Sequence, residues 1–382
     1  MITKGLDMNK KDIKILELIY QFGIITRKEL GEQLGISQPA ISKKVKYLAD
    51  KKLIKENSST LLKTGGRNAS FLELNNQIGK VLGIYFGIDK VLIALSTINF
   101  TSIEYHYIDI TPESKILKET FKFLDELFKK EKIITIGVGM NGIVDSQKGL
   151  SIYSATYNWS NVNLKEELQE RYNVPVAIEN GVNLMVLHEK KLGKSKDKNN
   201  FVILNITNGI KAGICLDGKL HRGLYFRAGE IGHIQYDFSV NSRICSCGNK
   251  GCIETILSDW GIENKIFDIT HKKYTYEEII EKANNNIQPF KDVILDLVPV
   301  LLHLILWISL LIDPDEIIIY GKISKVEDFL WREIKRRIIY SSLFRPDKFN
   351  LRLENVNNTY IVKGAIILAV QNLFKSFEKM NK

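Results

Sequence analysis

Cysteine is scarce in this chain, four in 382 residues, and three of the four stand within eight positions, at Cys245, Cys247 and Cys252. A secreted disulfide framework spreads its cysteines along the chain. This clustering argues against one and for metal ligation in a reducing compartment. Cys215 stands alone in an apolar stretch and reads as inert core. A continuous apolar segment near the start is also missing. Residues 1–20 interleave Lys, Asp and Glu with isolated apolar positions, which argues against a secretory leader. No apolar run reaches the ~20 residues of a membrane span. The longest, residues 297–312, is 16 long and holds Pro299, His303 and Ser309, so it reads as a buried helix. A cytoplasmic protein with no membrane partner is expected.

What is present is an uneven charge. The net charge is +10, yet residues 1–70 alone carry 14 Lys/Arg against 7 Asp/Glu, leaving only +3 for the rest. A basic head on a near-neutral body points to a polyanionic partner. Residues 9–22 set Ile13, Leu16, Ile19 and Tyr20 on one helical face. Thr26 and Glu29 have the spacing of a capping box and open a short second helix. Gly35-Ile36 makes a tight turn, and Ser37 is expected to cap a third helix carrying Ile41, Val45 and Leu48. This is the helix-turn-helix pattern. Opposite the apolar stripe of the third helix stand Gln38, Ser42, Lys43 and Lys46. Gln and Ser hydrogen-bond base edges and Lys neutralises phosphates. Between two short apolar segments lies Lys63-Thr64-Gly65-Gly66-Arg67, the tip expected of a wing, with Arg67 entering a minor groove. Double-stranded DNA is therefore the expected partner of the head.

From Val81 onward strands alternate with helices. Strand patterns at 81–88, 91–95, 133–138 and 174–178 form one set, and those at 201–206, 212–216 and 317–320 a second. Two α/β lobes with a cleft between them are expected. The strongest chemical signal is Gly229-Glu230-Ile231-Gly232-His233 followed by Cys245-Ser246-Cys247-Gly248-Asn249-Lys250-Gly251-Cys252. His233, Cys245, Cys247 and Cys252 supply four ligands for a tetrahedral zinc. Such a filled shell leaves no position for water, so the zinc is expected to be structural.

With these motifs on hand, the chain resembles the ROK family (repressors, open reading frames, kinases) in its transcription-factor branch, nearest its xylose-type repressors. The resemblance runs through the helix-turn-helix, Gly83-x-x-x-Gly87, Gly137-x-Gly139-x-x-Gly142-x-x-Asp145, Asn158-Trp159, Pro175-Val176-x-x-Glu179-Asn180 and both signatures of the metal region. It implies an actin-like, hexokinase-like two-lobed domain, commonly assembled as a homodimer or homotetramer. It places the winged head at 1–75, the first lobe at 76–195 with a C-terminal helix at 363–382, and the second lobe with the zinc site at 196–362. It also implies sugar contacts at Asn180, Glu230, His233 and Glu254. The chemistry agrees, since carboxylates and amides suit dense hydroxyl patterns.

The same resemblance argues against catalysis. Related sugar kinases carry Asp after the Glu-Asn pair, where this chain has Gly181. They carry Asp where it has Tyr85, and a glycine of the phosphate loop where it has Lys211. Losing the general base alone removes a factor of about 10²–10⁴. Asn183 would replace the lost contact only if its side chain faced the ligand. A sugar-responsive repressor, with xylose or a related saccharide as inducer, is expected. A sugar kinase with residual or lost activity, and a zinc-stapled module that binds a protein instead of a sugar, are the other two readings.

Overall fold

The structure, a computed structural model, describes residues 8–58, 70–110, 115–154, 156–339, 350–355 and 357–380. The chain divides into two compact units, Met1–Leu184 with Asn358–Lys382, and Met185–Asn357.

The first unit begins with three short helices, α1 (Lys10–Phe22), α2 (Arg27–Leu34) and α3 (Gln38–Asp50). Reciprocal capping boxes open two of them. Asn9 and Asp12 exchange side-chain and backbone bonds at α1, and Thr26 and Glu29 do the same at α2. Gly35 ends α2 in the left-handed region at φ 62°. The start of α3 differs from expectation. Ser37 holds the N-cap position, but its side chain makes no capping bond. Pro39, whose ring fixes φ near the helical value, stands in the first turn instead. Ile13, Leu16, Ile19, Leu30, Ile41, Val45 and Leu48 are buried between these helices and a small sheet. In that sheet Ser70–Leu74 lies between Ile25–Thr26 and Ile54–Ser58, antiparallel to both. These are the flanks expected of a wing. Its tip, with Arg67, falls outside the described residues.

Behind the head stands a five-stranded sheet in the order Val176–Asn180, Ile133–Met140, Lys80–Phe86, Lys90–Thr97, Ile103–Asp109. The first three strands run parallel. The helix Asn358–Met380 packs on this sheet at very close range. A Cβ on Gly137 would sit 1.8 Å from the carbonyl oxygen of Ala365, so only glycine allows the approach. The far half of this helix meets the head. Phe374 packs edge-on against Tyr20 of α1, with ring centroids 5.8 Å apart.

The second unit has a sheet of its own, Lys219–His221, Ile210–Leu216, Phe201–Ile206, Glu316–Tyr320, Leu351–Glu354, with the last three strands parallel. Residues 290–312 are apolar and long enough to cross a membrane by composition, but half of this stretch is buried inside the protein. It is divided into Phe290–Leu295 and Val298–Ile312. The second piece is less enclosed than expected. Val300, Leu301, Leu304, Ile305 and Ile308 enter the core, while Leu310 and Leu311 are exposed. Strand Leu351–Glu354 is anchored by Arg352. Its guanidinium bonds Glu189 (2.6 Å), Glu316 (3.2 Å), Glu354 (2.7 Å) and the Ser195 hydroxyl (3.0 Å).

Candidate functional site

On α3, Gln38, Lys43 and Lys46 are exposed and Ser42 is half-buried. The apolar stripe Ile41, Val45, Leu48 faces inward, so the four polar residues line the outer face of the second helix of the helix-turn-helix. Lys44, which the sequence did not single out, turns the other way. Its Nζ lies 2.7 Å from Oδ1 of buried Asp12 and 3.2 Å from Oδ1 of Asn9. The pair joins α3 to the cap of α1 and so sets the angle at which the polar face is offered. Lys44→Met leaves Asp12 buried without its cation and is expected to lower stability by about 2 kcal/mol. Adding Asp12→Asn removes the orphaned charge while keeping an oxygen for the Asn9 N–H, and should recover most of the loss. Urea unfolding of the single and double variants measures both.

In the second unit the donor atoms of His233, Cys245, Cys247 and Cys252 all lie within 4.8 Å of one another. Cys247 Sγ and Cys252 Sγ are 3.7 Å apart, and Cys245 Sγ is 3.5 Å from His233 Nδ1. Ligand atoms around tetrahedral zinc stand roughly 3.5–3.8 Å apart, given bonds of ~2.3 Å to sulfur and ~2.0 Å to nitrogen. The residues therefore fit such an ion. The backbone makes the knuckle. Cys245 N–H donates to Asn249 O (2.7 Å), Gly248 N–H donates to Cys245 O (2.9 Å), and Gly248 turns at φ 91°. Burial pushes the Cys252 thiol up to about 12 and raises that of Cys245. For Cys247 burial is outweighed by the Asn249 N–H and the neighbouring thiols, and its thiol stands below the ordinary value. A bound dication overrides these preferences and holds all three as thiolates. Cys215 is buried, its thiol pushed up to about 11 by burial, and takes no part.

Glu254 is buried beside this cluster. Its Oε1 accepts from the Ser246 hydroxyl (3.1 Å) and lies 3.7 Å from Cys245 Sγ, while its Oε2 accepts from Ile210 N–H (3.2 Å). Glu230 forms an ion pair with Lys211, and both are largely withdrawn from solvent. Lys211 thus has an internal carboxylate as its partner. With Nδ1 turned to Cys245, His233 has Nε2 left for a second partner.

In the first unit Asn180 ends its strand. Its Nδ2 donates to Gly142 O (2.8 Å) and its Oδ1 accepts from Val182 N–H (2.9 Å). Asn183 is turned inward, its Nδ2 donating to Oε1 of buried Glu179 at 2.9 Å. It therefore does not take the place of the side chain missing at Gly181. Tyr85 and Gly181, far apart in sequence, are neighbours in space.

Comparison with known proteins covers both parts of the chain. The winged helix-turn-helix DNA-binding profile matches residues 8–55 and the ROK family profile matches residues 81–372. The xylose repressor of Caldicellulosiruptor bescii is 26% identical over 382 residues, with 94% of this chain and 95% of that protein covered. The N-acetylglucosamine repressor of Escherichia coli O157:H7 is 28% identical over 333 residues, covering 83% and 81%. A solved ROK family transcriptional regulator, a homolog of the E. coli MLC protein, superposes with a TM-score of 0.81 at 27% identity, covering 97% of this chain and 98% of that one.

Proposed function

The chain belongs to the ROK family, a winged helix-turn-helix head on the family's actin-like, hexokinase-like α/β fold, and from that premise we propose that it is a sugar-responsive repressor of carbohydrate-utilisation genes. The observation that carries this reading is the likeness, through head and body alike, to a solved regulator and to two proteins named as sugar repressors. Gln38, Ser42, Lys43 and Lys46 read operator DNA, with Arg67 at the wing. Asn180, Glu230, His233 and Glu254 contact the sugar, a saccharide of the xylose class. His233, Cys245, Cys247 and Cys252 hold a zinc ion whose part is structural, since four protein ligands leave it no open position.

The chain works as a regulator and not as a kinase. Gly181 has no side chain to take a proton from a sugar hydroxyl, and the Tyr85 ring stands beside it. The protein acts in the cytoplasm as a homodimer or homotetramer. Two heads hold two half-sites a whole number of turns apart, ~34–36 Å for one turn. Sugar binding shifts the spacing of the heads and removes the gain of double engagement.

A gel-shift titration with xylose, glucose, cellobiose and N-acetylglucosamine tests the reading. One of these sugars is expected to release the operator, with no ATP consumed in its presence. Operator affinity indifferent to all four would overturn the sensor role.

A further inference from the structure

In the first unit the carboxyl ends of three parallel strands stand level. Phe86, Met140 and Asn180 are in register across Lys80–Phe86, Ile133–Met140 and Val176–Asn180. In open α/β sheets ligands bind beyond such ends. One residue before the end of its strand, Tyr85 lays its ring among three glycines. An ideal Cβ on Gly87 or Gly139 would come within 3.3 Å of ring carbons, and one on Gly181 within 3.4 Å. At Gly87 and Gly139 other atoms come closer still, Lys90 O at 2.8 Å and Leu184 Cδ1 at 2.6 Å, and the ring packs against the three backbones. The Tyr85 ring therefore lies directly beside the bare backbone at 181.

The ring also carries a hydroxyl, which donates to Asn141 Oδ1 at 3.2 Å. Burial pushes this phenol up to about 12, so it stays protonated through the neutral range. Asn141 follows directly on Met140, at the level ends of the strands, and is half-buried. With its oxygen held by Tyr85, its amide nitrogen points away from the phenol. Among the described residues no acceptor bonds that nitrogen. Two free donors on an uncharged, oriented amide suit a neutral oxygen acceptor. Asn180, the neighbouring polar side chain at these ends, is uncharged as well.

We propose that Asn141 is an effector-contacting residue that donates to a hydroxyl oxygen of a neutral saccharide, and that Tyr85 is the positioning residue that aims it. This assignment rests on the sugar-sensing reading above and adds to it a contact beside position 181.

The experiment is a double-mutant cycle by calorimetry on the full chain, with xylose, glucose and N-acetylglucosamine as probes and melting temperature as the check on folding. For the probe that binds, Asn141→Ala is expected to weaken affinity about tenfold, the effect of one hydrogen bond. Tyr85→Phe keeps the ring and loses the hydroxyl. It is expected to weaken binding severalfold in the native background and not at all once Asn141 is Ala. If the ring only fills space, Tyr85→Phe leaves affinity untouched in both backgrounds, and that result overturns the assignment. So does unchanged affinity in Asn141→Ala. Failure of the unmodified protein to bind any of the probes overturns the sugar-sensing reading itself, and this contact with it.

Discussion

Cys252→Ser is expected to purify without zinc and with a second unit that melts early. Cys252 is fully buried, and its backbone pairs with Gln235 in an isolated bridge. The loss therefore reaches beyond one bond. Structural zinc contributes ~10–16 kcal/mol of apparent binding free energy in small peptides, and that binding is folding energy there. With one of four ligands removed, a destabilisation of at least ~3 kcal/mol follows, or roughly 10 °C in melting temperature for a unit of this size. The damage should spread to Glu254, one of the residues proposed to contact the sugar, because its Oε1 lies 3.7 Å from Cys245 Sγ and its Oε2 accepts from Ile210 N–H. Cys215→Ser is the control, since Cys215 lies outside the cluster and should leave the metal content unchanged. Elemental analysis and scanning calorimetry report the two effects. A Cys252→Ser protein that keeps one equivalent of zinc, or melts with the native protein, refutes the metal assignment.

That cluster was legible because its chemistry is local, with three thiols and an imidazole spaced so that few other readings fit. The capping box at Thr26 was legible for the same reason, since donor and acceptor are three residues apart. Lys44 was not. Its partner Asp12 lies 32 residues away, and in sequence Lys44 differs in no way from Lys43 or Lys46. Ser37 misled because residue type fits the N-cap, whereas the side-chain geometry depends on the turn before it. Asn141 is a case of a different kind. The motif containing it stands out in sequence for its glycines, and nothing local says that the Tyr85 hydroxyl, 56 residues earlier, fixes the amide. The strands themselves are legible from their apolar patterning. Which side chains face one another across them depends on register, and register is set by long-range pairing.

Register also brings together the second of the two large effects. Arg352→Met is expected to destabilise the second unit by about 3–5 kcal/mol at neutral pH, the usual result of removing one partner from a buried ionic cluster. Glu189 and Glu316 are only 2% and 3% exposed, so the carboxylates left behind cannot reach water. Lys198, 3.0 Å from Glu316 Oε1, still offers one cation, while Glu189 keeps the neutral Ser195 and Tyr320 hydroxyls as donors in place of the guanidinium. The pH dependence has a definite sign. Burial raises the Glu316 carboxyl, yet the bonds from Arg352, Ser195 and Lys198 outweigh it and hold the group below its ordinary value. At Glu354 burial is likewise outweighed, by Lys194 and Arg352. A carboxyl lowered in the folded state contributes stability above its unfolded pKa, ~4.3, and loses it as pH falls through the folded value. In Arg352→Met that contribution is gone, and the desolvated Glu316 should take up a proton well before the native protein does. The stability gap between the two proteins should therefore be widest near pH 7–8 and narrow below about pH 5. Urea titrations at a series of pH values measure it. A gap that stays constant across that range would mean that Arg352 acts through packing of its stem and not through its charge.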